Sequence, residues 1–274
     1  MLALFDKSVA KSPDALNAPN HSEAVSAHKD GFLANHFASL HPGSVIVNLG
    51  PSGVLAYSLD KQNPLLPSYK KECSEDARDG SGALYLNVQQ LYNYVVDDIF
   101  CLFQGHIENV AVLKQLYGLS KTANEVIIII EAYRTLRDRG PYPVDQVIRD
   151  IQGKFAFILY DSTSQVTFIS ADADGNVPFF WGTDAEGHLV LSDDANIVKK
   201  GCGKSFAPFP KGCFFTSSGG LRSYEHPLNE LKPVPRVDSS GQVCGADFSV
   251  DVDAKKESSG MKKVGSAANW SSNY

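Results

Sequence analysis

Residues 103–109 read FQGHIEN and follow directly on the apolar run IFCLF. A strand that ends in Gln104-Gly105 sets a side-chain amide beside an unobstructed backbone N–H. Two adjacent donors of this kind can stabilise an oxyanion. Two other stretches invite a chemical reading and lose it on inspection. SSGGLRS at 217–223 is like a phosphate-holding SGGxDS loop, but Arg222 stands at the acidic position and the surroundings predict a two-residue Gly-Gly hairpin turn. ADADGN at 171–176 opens like a calcium loop, lacks the later acidic ligands and the terminal Glu, and reads as a turn. The pairs His21/His28 and His36/His41 do not fall one helical turn apart, and the five cysteines contain no CxxC. Neither a metal site nor a disulfide framework is expected, and the thiols are read as reduced.

The elements that position these residues follow from pattern. LALF at the start, VIVNLG and VLAYSL read as strands, the last two joined by a turn at Pro51-Ser52-Gly53. Residues 22–40 predict a helix from Ser22 to the Pro42-Gly43 stop. Residues 68–94 show no clear period and are read as a long exposed loop or insertion. ENVAVLKQLYGL predicts a helix closed by Gly118. Thr122 is then the expected cap of a helix whose Val126, Ile127, Ile130, Tyr133 and Leu136 share one face, with Glu131 pairing to Arg134 outside. VDQVIRDI is a short helix. GKFAFILYD and QVTFISADAD form a hairpin in which Phe155, Phe157 and Leu159 oppose Ala156, Ile158 and Tyr160. A strand apolar on both faces needs cover on both faces. Strands follow at HLVLSDD, GCFFTSS and LRSYEHP.

The 274 residues can bury a sizeable core, and the division expected is one domain over 1–249 and a disordered tail over 250–274. A net charge of −6 argues against a nucleic-acid partner. VIIII at 126–130 stops at Glu131, too short for a membrane span, and MLALFDKSVAKSP has no basic region ahead of its apolar run. The cytoplasm is the expected location, with the nucleus also open.

Taken in order, QGHIEN, TANEV, GKFAFILYD, ADADGNVPFFWG and VLSDD resemble the glutamine-hydrolysing domain of class II amidotransferases, as in asparagine synthetase. The resemblance implies an α+β fold, the four-layer αββα sandwich of N-terminal-nucleophile hydrolases. YGL at 117–119 and LRDR at 136–139 are similar to the signature of a plant family described as aluminium-induced or stem-specific proteins. In that family LLP runs almost directly into the VDD strand, so 68–94 is an atypical insertion, or a splice or gene-model artefact.

The same resemblance assigns four chemical positions. The nucleophilic cysteine would stand at Leu2, the carboxylate-binding arginine near Ser58, and the ammonium-binding acid at Ala123. Gln104 and Gly105 keep the chemical types of the oxyanion hole. An oxyanion donor is worth roughly 10²–10³ in rate. A missing nucleophile costs on the order of 10⁶, and each lost charge-assisted contact about 1.5–3 kcal/mol. The retained pair cannot offset those losses, and no catalytic residue is assigned. Cys101, three residues before Gln104, should point to the opposite face. The expectation is a non-catalytic, stress- or hormone-responsive binding protein without cofactor, with Gln104, Gly105, Ser58 and Ala123 as a remnant pocket. Its partner would be a protein or small molecule. The alternatives are an enzyme of altered amide or acyl chemistry at Gln104/Gly105, or a homodimeric interaction protein. LRDR is read as a charged helix end, with partner contact as its other reading.

Overall fold

The alternation in GKFAFILYD decides the layering. Phe155, Phe157 and Leu159 lie in one buried cluster, and Ala156, Ile158 and Tyr160 in another. The computed structural model describes residues 1–18, 31–58, 83–87, 98–139, 143–239 and 241–255.

β1 (Leu2–Phe5) is buried along its whole length. α1 (Phe32–Leu40) is the end of the helix expected over 22–40, whose residues 22–30 lie outside the described residues. β2 (Val45–Asn48) and β3 (Gly53–Tyr57) flank a 3-10 turn at Gly50–Ser52. β4 (Leu84–Asn87) corrects the reading of 68–94 as exposed loop: it pairs in parallel with β2, and Ala83 and Leu84 are buried. The rest of that stretch lies outside the described residues.

β5 (Ile99–Ile107) carries Gln104 and Gly105 within the strand, short of its end. α2 (Val110–Leu116) closes as expected at Gly118, with φ +65°. The Leu119 N–H donates to the Lys114 carbonyl and the Gly118 N–H to that of Gln115, the pattern of a Schellman stop. α3 (Glu125–Asp138) is capped by Asn124, whose side chain accepts the Ile127 N–H at 3.1 Å, and not by Thr122. α3 also buries more than one face: Ile128, Ile129 and Ala132 are covered along with Val126, Ile130 and Tyr133, while Ile127 is half-exposed. Arg134 pairs with Glu131 at 2.7 Å, as expected. α4 is Val144–Arg149.

β6 (Gly153–Asp161) and β7 (Val166–Ala171) form the expected hairpin. β8 (Phe180–Thr183), β9 (Leu189–Ser192), α5 (Ala195–Cys202) and β10 (Phe206–Pro208) follow. β11 (Cys213–Thr216) pairs with β12 (Gly220–Ser223), with Thr216 opposite Gly220. That register leaves three residues in the turn where the sequence predicts two. β13 (Asn229–Val237) and β14 (Val243–Lys255) make a separate two-stranded ribbon. β14 runs past the expected domain end at 249, and residues 256–274 lie outside the described residues.

The strands form a seven-stranded sheet, β10-β8-β9-β1-β3-β2-β4, and a five-stranded sheet, β12-β11-β7-β6-β5. Their facing sides share one core, with Ala3, Phe5 and Leu55 from the first sheet and Ala156, Ile158 and Tyr160 from the second. α1 and α5 cover the outer face of the first sheet, and α2, α3 and α4 that of the second. The result is a four-layer αββα sandwich. Burying side chains as large as Trp181, Tyr160 and Phe5 in it contributes roughly 1.5–3 kcal/mol each.

Candidate functional site

Gln104 and Gly105 occupy the outermost strand of the five-stranded sheet. Ala156 stands opposite Gln104, and Phe155 opposite Gly105. Phe155 commits both main-chain groups elsewhere: its N–H donates to Asp172 Oδ2 at 3.1 Å, and its carbonyl accepts the Asp172 N–H at 2.8 Å. Gly105 therefore has no ladder bond to its register partner, and its backbone groups turn away from β6. Its φ is +112°, and a Cβ there would lie 2.0 Å from the Lys154 carbonyl oxygen. Only glycine fits. The Gln104 Oε1 is buried with no hydrogen-bond partner among the described residues. An unsatisfied buried oxygen costs about 1–3 kcal/mol.

On β1 the arrangement is different. Leu2 pairs with Ala56 and Ser192 and is 1% exposed, packed in the layer beneath α1 and α5 with Leu33, Phe37 and Ile197. The Met1 side chain fills the space between the sheets, and its amino nitrogen lies 2.5 Å from Asp193 Oδ1. Ser192 donates its hydroxyl to the Met1 carbonyl at 2.8 Å. Ser58 follows directly on β3; the Leu2–Ala56 register brings it, buried, to the same end of the sheet as Met1.

Ala123 sits just before α3 and lines an open cleft of about 1050 Å³ with His106, Leu119, Lys121 and Glu125. Gln104, Gly105 and Ser58 are not on its walls. The structure thus brings Ser58 and position 2 to one end of the first sheet and sets Ala123 in a separate wall.

The other sequence candidates resolve simply. Cys101 packs in the layer under α3, the opposite face from Gln104, and burial pushes its thiol far up. The Asp172 carboxylate accepts the N–H groups of Asp174, Gly175 and Asn176, so ADADGN is a turn organised by its own acid.

Two polar clusters escaped the sequence reading. Asp161, fully buried at the end of β6, accepts the Tyr133 hydroxyl at 3.0 Å, Arg137 Nη1 at 3.2 Å, and the N–H groups of Thr163 and Ser164. Burial works to raise its pKa, yet these bonds prevail and hold it below the ordinary carboxylate value. Burial pushes Tyr133 up to about 12. Arg137 of LRDR therefore clamps α3 to the β6–β7 turn, an inward role beyond that of a helix-end charge. Separately, His188 lies between Asp184, at 2.8 Å from Nδ1, and Asp6, at 3.1 Å from Nε2, tying the end of β1 to the β8–β9 turn. Asp161 and Arg137 stand 24 residues apart, beyond any local pattern.

The layers and strand order define a four-layer αββα sandwich, the architecture that the amidotransferase resemblance implies. The chain belongs to the family described as aluminium-induced protein, whose sequence profile matches residues 2–75 and 85–250. The stem-specific protein TSJT1 of Nicotiana tabacum is 34% identical over 171 residues, which is 62% of this chain and 99% of that protein. The glutamine-hydrolysing asparagine synthetase B of Escherichia coli is 31% identical over 142 residues, 50% of this chain and 24% of the enzyme. The chain thus matches about a quarter of that enzyme's length. Among solved structures, the glutamine phosphoribosylpyrophosphate amidotransferase of B. subtilis aligns with a TM-score of 0.36 at 14% identity, covering 48% of this chain and 31% of that one.

Proposed function

We propose that this protein is a non-catalytic, glutamine amidotransferase-like binding domain with a regulatory role in a stress or hormone response. The observation that carries this reading is Leu2. At the position that the amidotransferase resemblance gives to the nucleophile, an apolar side chain is packed into the core at 1% exposure. Ser58 and Ala123 add to it, because neither supplies a charge for the ends of an amino-acid substrate. The remnant positions Gln104, Gly105 and Ser58, with Ala123 in its separate cleft, then serve recognition, in the cytoplasm or the nucleus.

A second reading, altered amide or acyl chemistry, has one observation in its favour: the Gln104 Oε1, without a partner among the described residues, beside the outward-turned Gly105. Titrating L-glutamine calorimetrically into the full chain separates the readings. A saturating isotherm makes the domain an amino-acid sensor, and silence at millimolar ligand directs the search to protein partners. Sustained heat is turnover and overturns the non-catalytic reading.

A further inference from the structure

The turn between β11 and β12 borders a pocket of about 520 Å³ whose walls include none of Gln104, Gly105, Ser58 or Ala123. The start of α4 supplies Pro143 and Val144 to those walls, β11 supplies Phe214, and Pro227 comes from the chain after β12. All four are apolar, and the volume falls within the roughly 300–1,000 Å³ of small-molecule sites. Arg149 ties the helix to the strand: its Nε donates to the Tyr224 carbonyl at 2.6 Å, and its Nη2 lies 3.5 Å from Asp145 Oδ2. The walls are therefore fixed before anything enters.

Charge decides what the pocket accepts. Two charged side chains line it, Asp145 and Arg222. Asp145 is engaged by Arg149. Arg222 has no ion pair and no side-chain hydrogen bond among the described residues. A lone exposed arginine needs no explanation; one set among four apolar residues in a fixed pocket does. Phe214 is its register partner, so both project from the same face of the sheet, the one that α4 covers. The Arg222 Nε lies 4.0 Å from where a Cβ on Gly219 would stand, which places the side chain beside the turn. The turn itself is pinned by the Gly219 N–H, which donates to Thr216 Oγ1 at 2.9 Å. Ser218 of the same turn lines the pocket, and its hydroxyl has no partner among the described residues.

A guanidinium presents a planar fork that matches a carboxylate with two parallel bonds. The Ser218 hydroxyl adds a third donor. Asp145 on the same walls opposes a second negative charge, which disfavours a phosphate dianion. The apolar walls call for an apolar body on the acid. We propose that this pocket binds a small carboxylic acid with a ring-sized apolar body. The carboxylate rests on Arg222 and Ser218, and the body lies against Val144, Phe214 and Pro227.

Hydrocinnamate titrated into the full chain and followed by amide-resolved NMR tests this. Saturable shifts are expected at Val144, Ser218, Gly219 and Arg222. Arg222→Ala should weaken binding at least about tenfold, with an unchanged thermal melt because the side chain is exposed. The neutral amide of the same acid should bind at least about tenfold more weakly, and so should acetate, which lacks the apolar body. Val144→Asp, which adds a negative charge to the walls at a half-exposed position, should also weaken binding. The outcome with glutamine does not bear on this result, since the remnant positions lie off these walls. No saturable shift at these amides, parent-like affinity in Arg222→Ala, equal binding of the neutral amide, or tighter binding of inorganic phosphate would each overturn the proposal.

Discussion

β1 and β5 would carry the two halves of an amide-hydrolysing site, the nucleophile on one and the oxyanion donors on the other, and they depart from it unequally. On β1 the chemical position is taken by Leu2, whose side chain serves the core. On β5 the pair Gln104-Gly105 keeps its chemical types, but for two separate reasons. The backbone demands a glycine at 105, whether or not anything binds, because a Cβ would meet the Lys154 carbonyl. No such demand falls on Gln104, whose buried oxygen has no partner among the described residues. Gly105 is therefore weak evidence for a functioning pocket. Gln104 is the informative member of the pair.

The largest expected effect follows from that asymmetry. Gly105→Ala sets a methyl against main chain at a φ of +112°, combining backbone strain of about 1–3 kcal/mol with a similar cost of overpacking. The variant should lose most of its stability in a thermal melt. A melt like that of the parent would mean that β5 tolerates a side chain there, and the comparison with β1 would lose its basis.

Asp161→Asn comes next and tests whether the strand beside β5 is held from behind by α3. The charge-assisted bond to Arg137 is worth about 1.5–3 kcal/mol, and the loss should appear at neutral pH. Its pH dependence has a definite sign. The folded-state pKa of Asp161 lies below the ordinary 3.8, so its contribution is present above that value and is lost as pH falls through the lower, folded one. Urea melts of parent and variant should converge in that acid range and differ above it. Tyr133 works in the opposite sense. Its pKa rises from 10.0 to about 12, so its contribution holds below 10 and is lost as pH climbs to about 12.

How far the sequence reveals this architecture differs from element to element. β6 was legible because both of its faces are apolar and the hairpin turn is local. The Schellman stop at Gly118 was legible because one residue type suits it. The cap of α3 was not: Thr122 and Asn124 are both good caps, and only the fold decides between them. β4 is four residues long in polar surroundings, and its strand state comes from pairing with β2, each residue with a partner 39 positions away in sequence. β13 contains Pro233 and Pro235, which argue against a strand in a sheet interior; a two-stranded ribbon has free edges to accept them. In the site, Gln104-Gly105 could be read from composition, but the conformation that makes Gly105 obligatory could not.

Leu2→Cys returns the nucleophile type to β1 and is the direct attack on the comparison. Removing buried methylenes should cost about 2 kcal/mol. No glutaminase activity should follow in an ammonia-release assay, because Ser58 and Ala123 still leave both ends of the substrate without a charge partner. Measurable turnover would mean that β1 and β5 remain halves of one competent site, separated by a single residue.

Gln104→Ala should change stability least and discriminate most. It deletes a buried oxygen with no partner among the described residues, so the gain from removing that group, about 1–3 kcal/mol, works against the packing lost with the side chain. The melting temperature should stay near that of the parent. If Gln104 belongs to a live recognition site, any glutamine isotherm seen with the parent should weaken or vanish in this variant while the melt is unmoved. If binding persists unchanged, the amide is a passenger of the strand, and recognition lies elsewhere on the surface. The decisive quantity is thus the binding change at constant stability, which Gly105 can never supply because its substitution breaks the strand that presents the pocket.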